Sequence, residues 1–404
     1  MSTVKLGDIC YFFNGGAWSQ SEFTEDGYPV LKVSNCKTNG FEVDDVSYIP
    51  FDIAHKSDNN KLYIGDVIIA TVGSHPNLIE SAAGRACIVT AEVAGFYLNQ
   101  NAVCLRSKNH SVLDQGYLGY LAVSDPFKHY IQSRGKGAAN QMRIAIGAIK
   151  EFVFDLPDIN IQRKIGAILA SYDDLIENNQ KQLKLLEEAA QRLYKEWFED
   201  LRFPGYETTH IVDGLPKGWN RGILGDIVTE TGEKVSKEKR DIFEYYLPID
   251  CLPKKSLGYV TTNEIKLAES SLVSFAPGDI LFGAMRPYFH KVVVARDSGL
   301  TRSTCFVLNT LKKVFWAYTV MLMFSPDTVD YASKISVGTT MPYTRWKDFK
   351  NMPILIPEES CAYKFGEIVC PIIENINGLA KQVTLLRQAR DRLLPKLMNG
   401  EIEV

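Results

Sequence analysis

No run of about 18 apolar residues occurs anywhere in the chain, so nothing in it reads as a membrane-spanning helix. The opening, Met1-Ser2-Thr3-Val4-Lys5-Leu6-Gly7-Asp8, lacks the apolar core of a signal peptide, and a cytoplasmic protein is expected. None of the eight cysteines forms a C-x-x-C pair, and their neighbours are mostly apolar, which points to buried free thiols rather than a disulfide frame or a zinc site. The six histidines are scattered, and no H-E-x-x-H occurs, so no metal site is expected. A phosphate-cradling G-x-x-x-x-G-K-[ST] is missing; Arg134-Gly135-Lys136-Gly137 lacks its frame. There is no G-x-G-x-x-G turn after a strand. Asp250 with Glu264-Ile265-Lys266 mimics the spacing of a nuclease carboxylate–lysine centre, but the spacing is loose and has no counterpart elsewhere in the chain. No catalytic residue, metal or bound cofactor is expected on this chain.

The 404 residues, 46% hydrophobic and 23% charged, suit two or three soluble domains. A net charge of −3 does not advertise a nucleic-acid binder. Its distribution says more. Between Asp125 and Glu151 there is no acid, but there are Lys128, Arg134, Lys136, Arg143 and Lys150. Acid-free islands also lie between Asp279 and Asp297 and between Asp330 and Asp348. Such islands suit local phosphate contacts; the alternative is chance clustering on solvated faces.

The chain is written twice. Leu6-Gly7-Asp8-Ile9 recurs as Leu224-Gly225-Asp226-Ile227, and Gly65-Asp66-Val67-Ile68 as Gly278-Asp279-Ile280-Leu281. Further on, an offset of 200 holds from Leu156-Pro157 and Ile356-Pro357 through Ile165 and Phe365, Gln182 and Gln382, Leu186 and Leu386, to Leu193 and Leu393. Each copy is a globular part followed by a helix. Short β-branched runs closed by Gly-Asp or Pro predict strands: Leu62-Tyr63-Ile64, Val67 to Val72, Cys87 to Thr90, Ala102 to Leu105, Val292 to Val294 and Thr304 to Leu308. A short helix precedes each basic loop, Tyr117 to Gln132 and Phe315 to Phe324. The globular parts are therefore α+β, with a strongly curved, mostly antiparallel sheet.

A four-then-three apolar spacing runs Ile161, Ile165, Ile168, Tyr172, Leu175, passes through Asn179 and Gln182, and resumes at Leu186, Ala189 and Leu193. That is a heptad seam. The second copy repeats it, with a kink expected near Pro371. Each helix of ~40 residues would span ~60 Å. Asn179 and Gln182 either fix register or sit where the helix bows into water. The simplest partner for each helix is the other, as an antiparallel intramolecular coiled coil giving the chain a pseudo-twofold axis. The division expected is 1–157, helix 158–203, 204–357 and helix 358–404.

The run Leu185-Leu186-Glu187-Glu188-Ala189-Ala190-Gln191-Arg192-Leu193-Tyr194-Lys195-Glu196-Trp197-Phe198, with Leu201-Arg202-Phe203-Pro204-Gly205 after it, resembles the central conserved region of specificity subunits of type I restriction-modification systems. Leu215-Pro216-Lys217-Gly218-Trp219 before Leu224-Gly225-Asp226-Ile227 is similar to the usual opening of that family's recognition domains. The tail from Leu385 to Gly400 resembles its distal conserved region. The N-terminus departs from the pattern by lacking the Leu-Pro-x-Gly-Trp lead-in. The resemblance implies that 1–157 and 204–357 are target recognition domains, each reading one half of a bipartite, asymmetric site in double-stranded DNA. It implies docking of two methyltransferase subunits and of restriction subunits, with S-adenosylmethionine, ATP and Mg on those partners and none on this chain. Asp125-Pro126-Phe127 is one proline short of the D/N-P-P-Y/F motif of adenine methyltransferases and reads as a helix cap. The competing reading is a scaffold of β-rich binding modules that does not touch DNA.

Candidate readers are residue types able to meet phosphates or base edges on polar loops. One loop gives Arg134, Lys136, Asn140, Gln141 and Arg143, and its repeat mate Thr339, Thr340, Tyr343 and Arg345. The loops after the Gly-Asp strands give Ser74, His75 and Asn77, and Arg286, Tyr288, His290 and Lys291. The alternative is that these are turns whose glycines serve the backbone. Tyr194, Trp197 and Phe198 are either docking anchors for a partner or packing against the chain's own second helix.

Overall fold

The computed structural model describes residues 2–37, 40–43, 45–55, 58–74, 83–137, 142–269 and 271–404. It divides into two compact units, Met1–Asp173 with Gln388–Val404, and Asp174–Arg387.

In unit 1 the central sheet runs Cys10–Asn14, Ala102–Ser107, Val67–Ala70, Ala86–Ile88, every neighbouring pair antiparallel. Val67–Ala70 is buried throughout, as an unbroken apolar run demands. Alternate residues feed two cores. Val67, Ile69, Val103 and Leu105 face the helices Gln115–Val123 and Asp125–Ser133, whereas Ile68, Ala102 and Cys104 pack with Leu31 and Leu98. Unit 2 repeats the design with Val228–Glu230, Cys305–Thr310, Ile280–Gly283 and Val292–Val294 in the same order. Ile280, Phe282, Phe306 and Leu308 take one face; Leu281, Cys305 and Val307 take the other. The period of two is that of a pleated strand covered on both sides.

Several small sheets replace the one curved sheet expected. Each unit holds a parallel strand pair among the described residues, Tyr97–Leu98 with Tyr28–Leu31 and Tyr245–Tyr246 with Gly299–Arg302. Each is also closed by pairing its first strand with its last: Ser2–Lys5 with Val153–Leu156, and Asn220–Ile223 with Pro353–Ile356.

The repeated motifs are devices of the backbone. In Gly-Asp, the glycine takes a left-handed turn (φ +85° at Gly65, +89° at Gly278). The aspartate accepts the amide three residues back, Tyr63 N–H to Asp66 Oδ2 and Ala276 N–H to Asp279 Oδ2, each 2.8 Å. For that reason Leu62-Tyr63-Ile64 is a turn and not the strand expected. In Leu-Gly-Asp, the leucine amide donates to the last turn of the domain, Leu6 to Phe152 O and Leu224 to Met352 O, each 2.9 Å. A Cβ on Gly7 would stand 2.9 Å from Lys150 Cβ, so the close approach needs glycine. Where one helix was expected before each basic loop, there are two, Gln115–Val123 with Asp125–Ser133 and Trp316–Met323 with Pro326–Lys334. Pro126 and Pro326 start the second of each pair because proline cannot continue the first.

Helix Ile159–Tyr194 and helix Glu359–Met398 each contribute to both units. The second is continuous through Pro371 and Gly378. In unit 1, Arg390 pairs with Asp173, which also accepts the Tyr120 hydroxyl at 2.6 Å. In unit 2 the helices are antiparallel: Tyr194 meets Phe365 while Asn179 Nδ2 donates to Gln382 Oε1 at 3.1 Å. Asn179 is buried whereas Gln382 and Gln182 are exposed, so the amide pair lies at the edge of the seam, with one end dry and the other wet. Glu187, also buried, accepts the Ser256 hydroxyl at 2.7 Å and the Leu257 amide at 2.6 Å, tying the globular part of unit 2 to its helix. Burial pushes the Glu187 carboxyl up to about 7 against the pull of these bonds. Among the described residues no helix is long and apolar enough to cross a membrane.

Candidate nucleic-acid interface

In unit 1 the chain leaves the buried strand Val67–Ala70 as Val72–Gly73 and pairs with Met142–Arg143. The Ile144 amide donates to Thr71 O at 2.8 Å. Lys136 and Arg143 exchange both backbone hydrogen bonds, each 2.9 Å. One tip of the unit thus gathers Ser74, Arg134, Lys136 and Arg143, drawn from two distant stretches of sequence. The three cations are exposed, and the Arg134 guanidinium lies 4.9 Å from the Tyr130 ring centre. Like charges opposite each other on a hairpin cost a few tenths to ~1 kcal/mol, a cost that a bound anion removes. His75, Asn77, Asn140 and Gln141 lie outside the described residues.

Unit 2 builds the same tip by the same bonds. The Thr344 amide donates to Ala284 O at 2.9 Å, and Val337 and Tyr343 exchange backbone bonds of 3.0 and 2.9 Å. Met285 bridges Tyr343, and the Arg286 amide donates to Pro342 O at 2.7 Å. The Arg286 side chain reaches Thr340 O at 3.3 Å, so it ties the two loops together. Arg286 and His290 both hold left-handed backbone (φ +50° and +51°) around the turn Pro287–Phe289, which leaves Tyr288 54% exposed. Thr339, Thr340 and Arg345 are exposed; Arg345 Nε donates to Asp348 at 2.6 Å. Tyr343 is half-buried beside Phe306.

Two candidates from this loop are corrected. His290 is buried, its Nε2 3.0 Å from Phe324 O and its ring edge-on to Phe324. Burial holds its pKa down, so it stays neutral near pH 7. Lys291 spends its ammonium on Ile249 O at 2.7 Å, and burial lowers its pKa as well. Both sit where the chain re-enters the sheet at Val292, so they brace the loop and do not face a ligand. The sequence shows a polar tip after a strand but not how soon the tip ends.

Tyr194, Trp197 and Phe198 are likewise buried, not exposed anchors. Trp197 and Phe198 lie 5.5 and 4.8 Å from Phe365, and Phe198 also meets Trp219 at 5.7 Å. They close the core of unit 2 at the π-helical turn Lys195–Glu199. Elsewhere, Glu264 forms an ion pair with its neighbour Lys266. Among the described residues no cluster of three or more His, Cys, Asp or Glu is placed to hold a metal.

The tips missed by residue-type reasoning are apolar. Met341 is 56% exposed and Val337 47%. Their signal is a stretch without charge or amide from Ile335 to Thr344, set between Lys334 and Arg345.

Comparison with known proteins agrees with this frame. Residues 1–188 match the family described as type I restriction modification DNA specificity domain. The type I restriction enzyme MjaIX specificity subunit of Methanocaldococcus jannaschii is 28% identical over 71% of this chain and 69% of its own length. The MjaVIII specificity subunit of the same organism is 25% identical over 99% of this chain and 92% of its own length. The crystal structure of the type I restriction-modification system S subunit from M. genitalium superposes with a TM-score of 0.62 at 14% identity, over 98% of this chain and 96% of that one, and so shares the fold. Residues 1–188 thus resemble that domain, and the chain along its length is similar to type I restriction-modification specificity subunits.

Proposed function

We propose that the chain reads a bipartite, asymmetric sequence in double-stranded DNA, one half-site per unit, and delivers methyltransferase and restriction subunits to it. The observation that carries the reading is the paired tip. In each unit the same backbone bonds bring two loops to one end of the central sheet, where exposed polar, cationic and hydroxyl side chains gather on a rigid base. Loops on a fixed scaffold are where base-reading groups belong, and cations beside them fit phosphates. Because the two tips differ in side chains, the half-sites differ. The helical segments set the spacer between them, as the frame of a dimeric reader sets half-site spacing.

Catalysis is assigned to the partners. Methyltransferase subunits bring S-adenosylmethionine and flip an adenine for N6 methylation, and restriction subunits bring ATP and Mg-dependent chemistry. Docking rests on exposed faces of the helical segments and their flanks, not on Trp197 or Phe198. The test is to incubate the purified chain with its neighbouring methyltransferase and sequence the methylated adenines in exposed DNA. A two-part motif with a fixed spacer is expected. No methylation, together with no salt-dependent binding of duplex DNA by the mixture, would leave the scaffold reading in its place.

A further inference from the structure

The tip of unit 2 points to a definite kind of base contact. From Ile335 to Thr344 the chain carries no charged and no amide side chain. It therefore offers neither the guanidinium that pairs with guanine nor the amide that pairs with adenine. Two of the flanking cations are engaged, Arg286 with Thr340 O and Arg345 with Asp348, while Lys334 stands exposed before the stretch and can meet a phosphate but lies outside the tip. What stands outward is Val337, Thr339, Thr340 and Met341, all exposed, above a base fixed by the Val337–Tyr343 bonds and by the Arg286 amide on Pro342 O. Methyl, thioether and hydroxyl groups are what this surface has to spend. The base-edge feature that an apolar group recognises in the major groove is the C5 methyl of thymine. The tip also lies in the acid-free stretch between Asp330 and Asp348, so no carboxylate there opposes the approach of phosphates.

We infer that the Val337–Met341 tip reads thymine C5 methyl groups in the half-site of unit 2, with Thr339 and Met341 as the specificity-determining residues and Arg286 as the positioning residue that locks the two loops. This rests on the DNA-reading function proposed above. The experiment uses the full chain with its methyltransferase partner on duplexes carrying the motif found by sequencing. The half-site of unit 2 is the one that changes when residues 206–357 are exchanged. Its thymines are replaced one at a time by deoxyuridine, which lacks only the methyl, sparing the thymine opposite the methylated adenine.

A buried methyl contributes ~0.8 kcal/mol, so at least one replacement should weaken binding roughly four-fold. In Met341→Ala or Thr339→Ser that difference between thymine and deoxyuridine should shrink toward unity, with binding of the deoxyuridine duplex unchanged. Both side chains are exposed, so neither change threatens the fold. Unaltered binding at every replacement, or a half-site with no further thymine, would overturn the inference while the motif itself kept the DNA-reading function standing. Absence of any motif would instead remove that function.

Discussion

The two units are one frame with two different tips. Both have the same strand order, the same Gly-Asp turn and the same amide bonds from the hairpin to the central strand. Where Lys136 faces Arg143 in unit 1, Val337 faces Tyr343 in unit 2. At the other end of the central strand, Asp66 holds Arg106 through two hydrogen bonds, whereas Asp279 holds Asn309 through one. The lesson is that backbone geometry was kept through the duplication while the side chains at the tips changed. A frame held by turns and amides lets a tip be rewritten without refolding the domain.

The largest effects are expected at the helix ends. Trp197 and its repeat mate Leu397 are both buried, each in its own unit. Trp197→Ala should cost ~3–5 kcal/mol and Leu397→Ala ~2–5 kcal/mol in denaturant unfolding. A stable Trp197→Ala chain that only failed to bind partners would return that residue to a docking role. Next come the two aspartates. Asp66→Ala strands Arg106, which is stacked between Phe13 and Tyr63 and bonded to Lys61 O, and should cost ~2–4 kcal/mol. Asp279→Ala loses a neutral partner and a turn bond and should cost ~1–2 kcal/mol. Equal losses would mean that the two frames are braced alike.

A smaller effect separates the units by pH. The folded carboxyl of Glu187 titrates near 7, above its ordinary 4.5, so the folded state holds the extra proton between those values. Its contribution is fully present below pH ~4.5 and is lost as pH rises through ~7. Glu187→Gln keeps the acceptor for Ser256 and Leu257 without the charge, and should be more stable than the parent at pH 8 by ~1–3 kcal/mol but not at pH 5. Position 387 is Arg, so the response belongs to unit 2. Smallest is the tip of unit 1. Lys136→Ala with Arg143→Ala should lower the salt dependence of DNA binding by about one to two phosphate contacts and leave stability within ~0.5 kcal/mol.

Much of the frame was legible because it is periodic or punctuated. The repeat and the Gly-Asp and Leu-Gly-Asp turns announce themselves in residue spacing; the helices do too, but the heptad seam was set off its register, for Ile161, Leu175, Gln182 and Ala189 are exposed while Leu169, Ile176, Leu183 and Ala190 are buried. Side-chain fate was less so. His290 and Lys291 look like tip residues, yet the chain re-enters the sheet at Val292 and commits both inward. Trp197 and Phe198 follow the heptads and look spare, but a π-helical turn swings them against Phe365 and Trp219. Neither outcome depends on local sequence; both depend on what tertiary packing brings alongside. Met341 and Val337 escaped for the opposite reason, since apolar residues are expected inside.

The most direct test is to exchange residues 206–357 for the corresponding part of a known type I specificity subunit and sequence the methylated sites made with the methyltransferase partner. One half-site should change, with the other half and the spacer kept. A change in both halves, or in neither, would contradict the assignment of one half-site to each unit.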